Sequence, residues 1–181
     1  MQSAEFQVCD AILCNTDFHN NYFRAIRESP LLQRCFMYRE LIEKFTKGHK
    51  CAKVQQGCDE HQISSAEEYV GYKFPDELKN LLRETNGDHW FLLSTEEIIN
   101  NVKSNREIYP EYLDVNEFEE KINRYIFFAT NGCGDYYCYR ILPDGEADSS
   151  AIYIWEHELF ETRKAADNIA DLITKYYNNE T

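Results

Sequence analysis

Glycine, proline and long apolar runs are all scarce in this chain. Its 181 residues include only 7 glycines and 4 prolines, which argues against a low-complexity or linker-dominated protein. The longest apolar runs have four or five residues, as at 125–129, whereas a membrane-spanning helix needs about 20. The first six residues contain no lysine or arginine and do not resemble a secretory signal. We therefore expect a soluble, cytoplasmic protein without a membrane partner.

Disulfide bonds are not expected either. The chain has 7 cysteines, an odd number, and five of them lie in the first 58 residues. Without a secretory signal, this count is more typical of reduced thiols in a cytosol than of a disulfide framework.

Negative charge is abundant and unevenly distributed. The net charge of −13 falls wholly in residues 61–181, which contain 11 Lys/Arg and 24 Asp/Glu, whereas residues 1–60 are neutral. An acidic surface repels nucleic-acid phosphates and anionic lipids and attracts basic proteins. We therefore expect no direct binding to nucleic acids. Two interpretations of the charge stay open at this point: attraction of a basic protein partner, or solubility alone.

The first two thirds of the chain have mainly helical periodicity. One strand-like apolar run interrupts this periodicity at 90–93. Residues 104–122 are predicted to form a polar segment with short helical pieces. Four helices are predicted in this part of the chain. The first covers 31–45, and the others begin at the capping box of Ser65 and Glu68, at Pro75, and at the capping box of Ser94 and Glu97.

The last third changes to strand periodicity. Residues 125–130, 135–142 and 151–155 are apolar and aromatic, and they are separated by turn-forming residues. The last helix is predicted to bury Ala166, Ile169, Ala170, Ile173 and Tyr177. This order of elements indicates a single α+β domain, with several helices flanking a mostly antiparallel sheet that ends in a β-meander.

Three motifs, in order, resemble the SUKH superfamily. Residues 67–87 resemble its first motif: an acidic helix, a glycine, an apolar-Pro pair, an amphipathic helix and Asn-Gly. Residues 127–138 resemble the second, in which a Gly-Asp turn joins two strands, and residues 152–158 resemble the third, a strand ending in aromatic, acidic, His and acidic residues. The resemblance suggests a SUKH-like domain over 31–181 and leaves 1–30 as an N-terminal extension of unknown role.

The resemblance carries an expected function. Most bacterial members of the superfamily resemble immunity proteins that neutralise polymorphic or contact-dependent toxins, and fungal relatives regulate cell-wall glucan synthesis. Neither branch is known for catalysis. Many such toxins are nucleases with basic grooves, which agrees with the acidic charge. The resemblance thus implies a non-catalytic antitoxin without a cofactor that occludes a basic toxin domain; the alternative is a regulatory adaptor or scaffold of the same fold.

Candidate partner-binding residues follow from the motifs and the charge. For Asp135 two roles stay open, an acidic contact or a carboxylate that accepts backbone amides and holds its turn. Trp155 is either a core residue or an interface anchor, and His157 is either a contact or hydrogen-bonded to neighbouring carboxylates. The full candidate set is Asp88, Asp135, Tyr137, Trp155, Glu156, His157 and Glu158.

Two chemical sites are also conceivable from residue type alone. A zinc site could use His49, Cys51, Cys58 and His61, although their spacing matches no familiar zinc motif. A catalytic triad could use Cys133 as nucleophile, His157 as base and Asp135 to orient it. Because residue types without geometry define neither site, we expect neither metal binding nor catalysis.

Overall fold

The computed structural model describes residues 37–180; the predictions for 1–30 and for the first turns of the 31–45 helix lie outside them. Within the described residues, six α-helices and one four-stranded antiparallel sheet confirm the predicted α+β class. A 3₁₀ turn at Tyr109–Glu111 and a π-helical segment at Glu119–Asn123 flank the fifth helix. The helices are α1 (Met37–Thr46), α2 (Glu60–Val70), α3 (Asp76–Glu84), α4 (Thr95–Ile108), α5 (Val115–Phe118) and α6 (Ile169–Tyr177). The strands are β1 (Tyr125–Thr130), β2 (Tyr136–Arg140), β3 (Ile152–Glu156) and β4 (Glu161–Ala166).

Capping boxes set the starts of α2 and α4, but only one of them is where the sequence predicted it. The box of Ser94 and Glu97 starts α4 as expected: the Glu97 amide donates to Ser94 Oγ at 3.2 Å. The box predicted at Ser65 is wrong, because α2 has already begun five residues earlier, at Glu60. Asp59 accepts the Gln62 amide at 2.9 Å, and the Gln62 side chain accepts the Asp59 amide at 3.0 Å. Ser65 is therefore an interior residue of α2.

The apolar run at 90–93 does not form a full strand. Only Leu92 pairs with the sheet, through a single antiparallel bridge to Ala129 in β1. The preceding backbone curls around the Asp88 carboxylate, which accepts the amides of residues 90–92. Because these amides point at one side chain, they cannot form a regular ladder with a neighbouring strand.

The sheet is a meander of four strands, one more than the sequence predicted. The strands follow the order β1-β2-β3-β4, and each pairs antiparallel with the next. The additional strand, β4, is mostly exposed and contains Glu161, Arg163 and Lys164, so it lacks an apolar signature. Ala166 ends this strand and is not part of the last helix; α6 begins after Asn168, whose side chain accepts the Asp171 amide at 2.8 Å.

Both faces of the first three strands, β1–β3, are covered. One face packs against the helices in the main core; its buried residues include Ile126, Phe128, Tyr137, Tyr139 and Ile154. The opposite face forms a smaller core around Phe127, Cys138 and Trp155, and residues 109–123 fold over it. We call residues 109–123 the excursion. Among the described residues, no helix has the length and apolar character needed to cross a membrane.

Candidate functional site

The turn between β1 and β2 is tied to the end of β3 by the Asp135–His157 pair. Asp135 Oδ1 lies 2.7 Å from His157 Nδ1 and also accepts the His157 backbone amide at 3.1 Å. The other carboxylate oxygen accepts Asn131 Nδ2 at 2.9 Å. Asp135 therefore holds the turn, one of the two roles left open by the sequence, and His157 is hydrogen-bonded to a neighbouring carboxylate.

The surroundings of this pair favour an ionised carboxylate. Partial burial raises the pKa of Asp135, but hydrogen bonds from His157 and Asn131 outweigh burial and hold that pKa below its ordinary value. The His157 side chain is about 40% exposed and lines an open groove of about 480 Å³ between this turn and α4. The pair thus lies at the surface while it stabilises the fold.

We expect Asp135→Asn to destabilise the protein by about 1–2 kcal/mol near neutral pH, since it weakens charged hydrogen bonds. The folded pKa of Asp135 is lowered, so its stabilisation is complete above the unfolded pKa of about 3.9 and is lost as the pH falls through the folded value. Urea unfolding of both proteins between about pH 7 and pH 3 measures the difference. A difference that persists unchanged at the acidic end would contradict this assignment.

Two glycines in the same turn provide a matched pair of substitutions. Both have positive φ, +77° at Gly132 and +102° at Gly134. A Cβ at Gly132 would meet no atom within 4 Å, whereas a Cβ at Gly134 would lie 2.8 Å from His157 Cε1. Glycine is therefore required at 134 for two reasons: the backbone has positive φ, and the His157 imidazole leaves no space for a Cβ.

We expect Gly132→Ala to cost about 1 kcal/mol from backbone strain alone, and Gly134→Ala to cost about 2–3 kcal/mol because the imidazole must also move. Chemical denaturation measures both costs, and the His157 NMR resonances report the displacement. Equal costs, with unchanged His157 resonances in the Gly134 variant, would show that the imidazole contact does not constrain the turn.

The two remaining surface candidates lie near this pair. Glu156, at the end of β3, is partly exposed, and its carboxylate accepts Arg163 Nε at 3.0 Å. Glu158 is exposed on the turn that follows. Asp135, Glu156, His157 and Glu158 therefore gather at one end of the sheet, but the charge of Glu156 is partly compensated by β4.

The other three candidate contact residues lie in the interior. Asp88 is fully buried, Tyr137 packs edge-on against Phe91 with ring centroids 5.6 Å apart, and Trp155 belongs to the smaller core. Tyr137 and Trp155 face opposite sides of the sheet, and each of those sides is covered. A partner that docks on the folded surface would not reach these three residues. The structure therefore corrects the prediction of Asp88 and Tyr137 as contacts and gives Trp155 the core role, one of the two that the sequence left open.

Two buried carboxylates were not singled out from the sequence. Glu67 accepts the amide of Phe74 at 2.8 Å, and Glu84 accepts the amides of Tyr38 and Arg39 at 2.7 and 3.0 Å at the start of α1. Both glutamates lie on the apolar faces of their helices, α2 and α3, and that position is the signal available in the sequence. Both carboxylates are used for hydrogen bonds within the fold and do not belong to a docking surface.

The candidate zinc ligands do not converge. His49 Nδ1 accepts the Cys51 amide at 3.3 Å, and buried Cys58 donates its thiol to the Leu82 carbonyl at 3.2 Å. Burial raises the pKa of Cys58 to about 11, which disfavours the thiolate that zinc requires. His61 is exposed on α2. Between residues 37 and 180, no group of three or more His, Cys, Asp or Glu side chains could hold a metal ion.

The candidate triad is assembled only in part. Asp135 and His157 are joined, but Cys133 is exposed and its backbone amide donates to Asn131 Oδ1 at 2.8 Å. In the part of the chain that the structure describes, no hydrogen bond joins the Cys133 thiol to His157. The nucleophile–base contact of the candidate triad is thus not formed.

Comparison with known families gives one match. Residues 57–175 match the SMI1 / KNR4 family (SUKH-1), and this segment contains all three motifs and the whole sheet. It does not include α1, although Tyr38 and Ile42 of that helix lie in the main core. No curated protein matches the chain. Because the family match covers about two thirds of the 181 residues, the chain belongs to the SMI1 / KNR4 family (SUKH-1).

Proposed function

We propose that this protein is a cytoplasmic immunity protein that binds one toxin domain stoichiometrically and neutralises it by occlusion. Membership of the family is compatible with this role, and the excess of acidic residues is the observation that supports it further. The matched segment, residues 57–175, contains 25 Asp/Glu and only 11 Lys/Arg. Three of these carboxylates, Glu67, Glu84 and Asp88, are buried, and the remaining acidic residues still outnumber the basic ones. Such an excess is complementary to the basic groove with which a nuclease toxin binds phosphates.

The proposed mechanism requires complementarity and no catalysis. Long-range attraction increases the rate of encounter between the acidic protein and a basic toxin, and short-range contacts then retain the complex. The bound protein excludes the substrate of the toxin by covering its groove. The proposed mechanism uses no cofactor. It also involves no direct binding of the immunity protein to nucleic acid, since its acidic surface would repel the phosphates.

A survival assay tests the proposal. The C-terminal domain encoded by the neighbouring gene is expressed alone, with this chain, or with an unrelated acidic protein of similar net charge, and viable cells are counted. We expect the domain to kill, this chain to rescue, and the acidic control to give no rescue. Killing despite abundant soluble chain would overturn this pairing and favour the alternative function, a regulatory adaptor or scaffold that shares the fold.

A further inference from the structure

The fold itself restricts where a partner can dock. A docking surface on the first three strands would require one open face, but the helices cover one face of β1–β3 and the excursion covers the other. On the side of the smaller core, a partner would therefore contact the outer surface of the excursion and not the sheet itself. The excursion and the two residues of α4 that precede it form one continuous segment, residues 107–123.

Three large apolar side chains are exposed on this segment. Ile108 is 52% exposed, Tyr112 72% and Val115 78%, and the last two are the most exposed large apolar residues in the described part of the chain. Single exposed apolar residues are common on protein surfaces, but three within eight residues of a polar segment indicate an interaction site. Tyrosine in particular is frequent among residues that dominate binding energy.

The same segment carries charge that the fold leaves uncompensated. Glu107, Glu111 and Glu120 are exposed, and among residues 37–180 none of their carboxylates has an ion pair or a hydrogen bond. Two cations that adjoin these glutamates in the sequence, Arg106 and Lys121, are engaged elsewhere. Arg106 lies 5.5 Å from the centre of the Tyr69 ring, on α2. Lys121 Nζ instead pairs with a different carboxylate, that of Glu117, at 3.0 Å.

We propose that Ile108, Tyr112, Val115, Glu107, Glu111 and Glu120 form the surface that docks on a basic face of the partner protein; we call these six residues the acidic patch. This inference rests on the proposed function and names the site through which it operates. Uncompensated carboxylates and exposed apolar side chains on one segment match a partner face that has both basic and apolar residues. The carboxylates accelerate association, and the apolar anchors slow dissociation.

The charge component is tested with a triple variant, Glu107→Gln, Glu111→Gln and Glu120→Gln. Its matched control is Glu68→Gln, Glu146→Gln and Glu180→Gln, which removes the same charge from exposed carboxylates outside the patch. The probe is the toxin domain from the neighbouring gene, and binding is measured by surface plasmon resonance at low and high ionic strength. We expect the patch variant to associate at least about 10-fold more slowly at low salt, and the control less than about 3-fold more slowly.

The apolar component is tested separately. Tyr112→Ser with Val115→Ser is expected to accelerate dissociation by roughly 10- to 100-fold, whereas Leu142→Ser, on a turn between β2 and β3, is expected to leave it near the wild-type rate. All three side chains are exposed, so the temperature of thermal unfolding should change little in either variant.

The outcomes separate the two levels of the proposal. If the wild type neither binds nor neutralises the toxin domain, the proposed function fails, and the acidic patch fails with it. If the wild type binds and the two charge variants are equally affected, net charge alone acts and the patch assignment is wrong. If the wild type is a dimer that Tyr112→Ser dissociates, a second copy of the chain occupies the patch instead of a basic partner.

Discussion

Replacing Asp88 with alanine is expected to destabilise the protein by about 3–5 kcal/mol, a large part of the stability of a typical domain. One oxygen of this fully buried carboxylate accepts the backbone amides of Trp90, Phe91 and Leu92 at 3.0, 2.8 and 2.9 Å. Alanine would leave these amides without their acceptor, and each buried unpaired donor costs about 1–3 kcal/mol. Urea unfolding followed by circular dichroism measures the loss.

The second oxygen of Asp88 joins the same loop to the end of α6. It accepts the hydroxyl of Tyr177 at 2.9 Å. Burial and the negative charge of Asp88 raise the pKa of Tyr177, so the phenol stays protonated and can donate. The loop that follows α3 and the C-terminal helix are thus connected through one carboxylate.

Two variants separate these contributions. Asp88→Asn keeps an acceptor for the three amides and should cost about 1–2 kcal/mol, and Tyr177→Phe removes a single hydrogen bond and should cost about 1 kcal/mol. If Asp88→Ala lowers the free energy of unfolding no more than Asp88→Asn does, the hydrogen bonds to the three amides do not stabilise the loop conformation. A variant that folds as stably as the wild type but no longer binds the toxin would instead restore Asp88 as a contact residue.

The elements that the sequence predicted well are those whose signals are local. The capping box at Ser94 and the first three strands depend on residues that are neighbours in the chain. β4 could not be found in this way, because Glu161, Arg163 and Lys164 give it no apolar alternation. Backbone pairing with β3 forms this strand, and a ladder between strands is not encoded in the side chains of one strand alone.

The candidate site was predicted less well because burial depends on contacts distant in sequence. Charge counting treats Asp88 and Glu158 alike, although one is fully buried and the other is exposed. Tyr137 and Trp155 lie on different strands, and only the register between these strands shows that the two side chains face opposite, covered sides of the sheet. The excursion that buries Trp155 precedes β1 in the chain, and only tertiary packing places it over the sheet.

Trp155 should contribute as much to stability as Asp88, but through packing. Its ring meets the rings of Tyr109, Phe127 and Phe160 edge-on, with centroids 6.1, 5.4 and 5.9 Å away. Its indole Nε1 donates to the Lys121 carbonyl at 2.8 Å, inside the excursion. Trp155→Ala is therefore expected to cost about 3–5 kcal/mol, as measured by chemical denaturation.

A milder substitution tests what Trp155 positions. Trp155→Phe keeps an aromatic ring but leaves the Lys121 carbonyl without its donor, and we expect it to cost about 1–3 kcal/mol. Ile154→Val, on the opposite face of the same strand, removes one methylene from the main core and is the matched control. In hydrogen exchange, amides of residues 109–123 should exchange faster in Trp155→Phe than in Ile154→Val, after correction for global stability.

The exchange experiment also bears on the acidic patch, because most of the patch lies on the excursion. If Trp155 holds this segment in its binding conformation, Trp155→Phe should weaken toxin binding although no residue of the patch has changed, while Ile154→Val should not. Preorganisation of a docking segment lowers the entropic cost of binding, so the loss should increase with the gain in exchange. Faster exchange at 109–123 with unchanged affinity would instead place the partner on another surface, and the turn of Asp135 and His157 would then be the next to test.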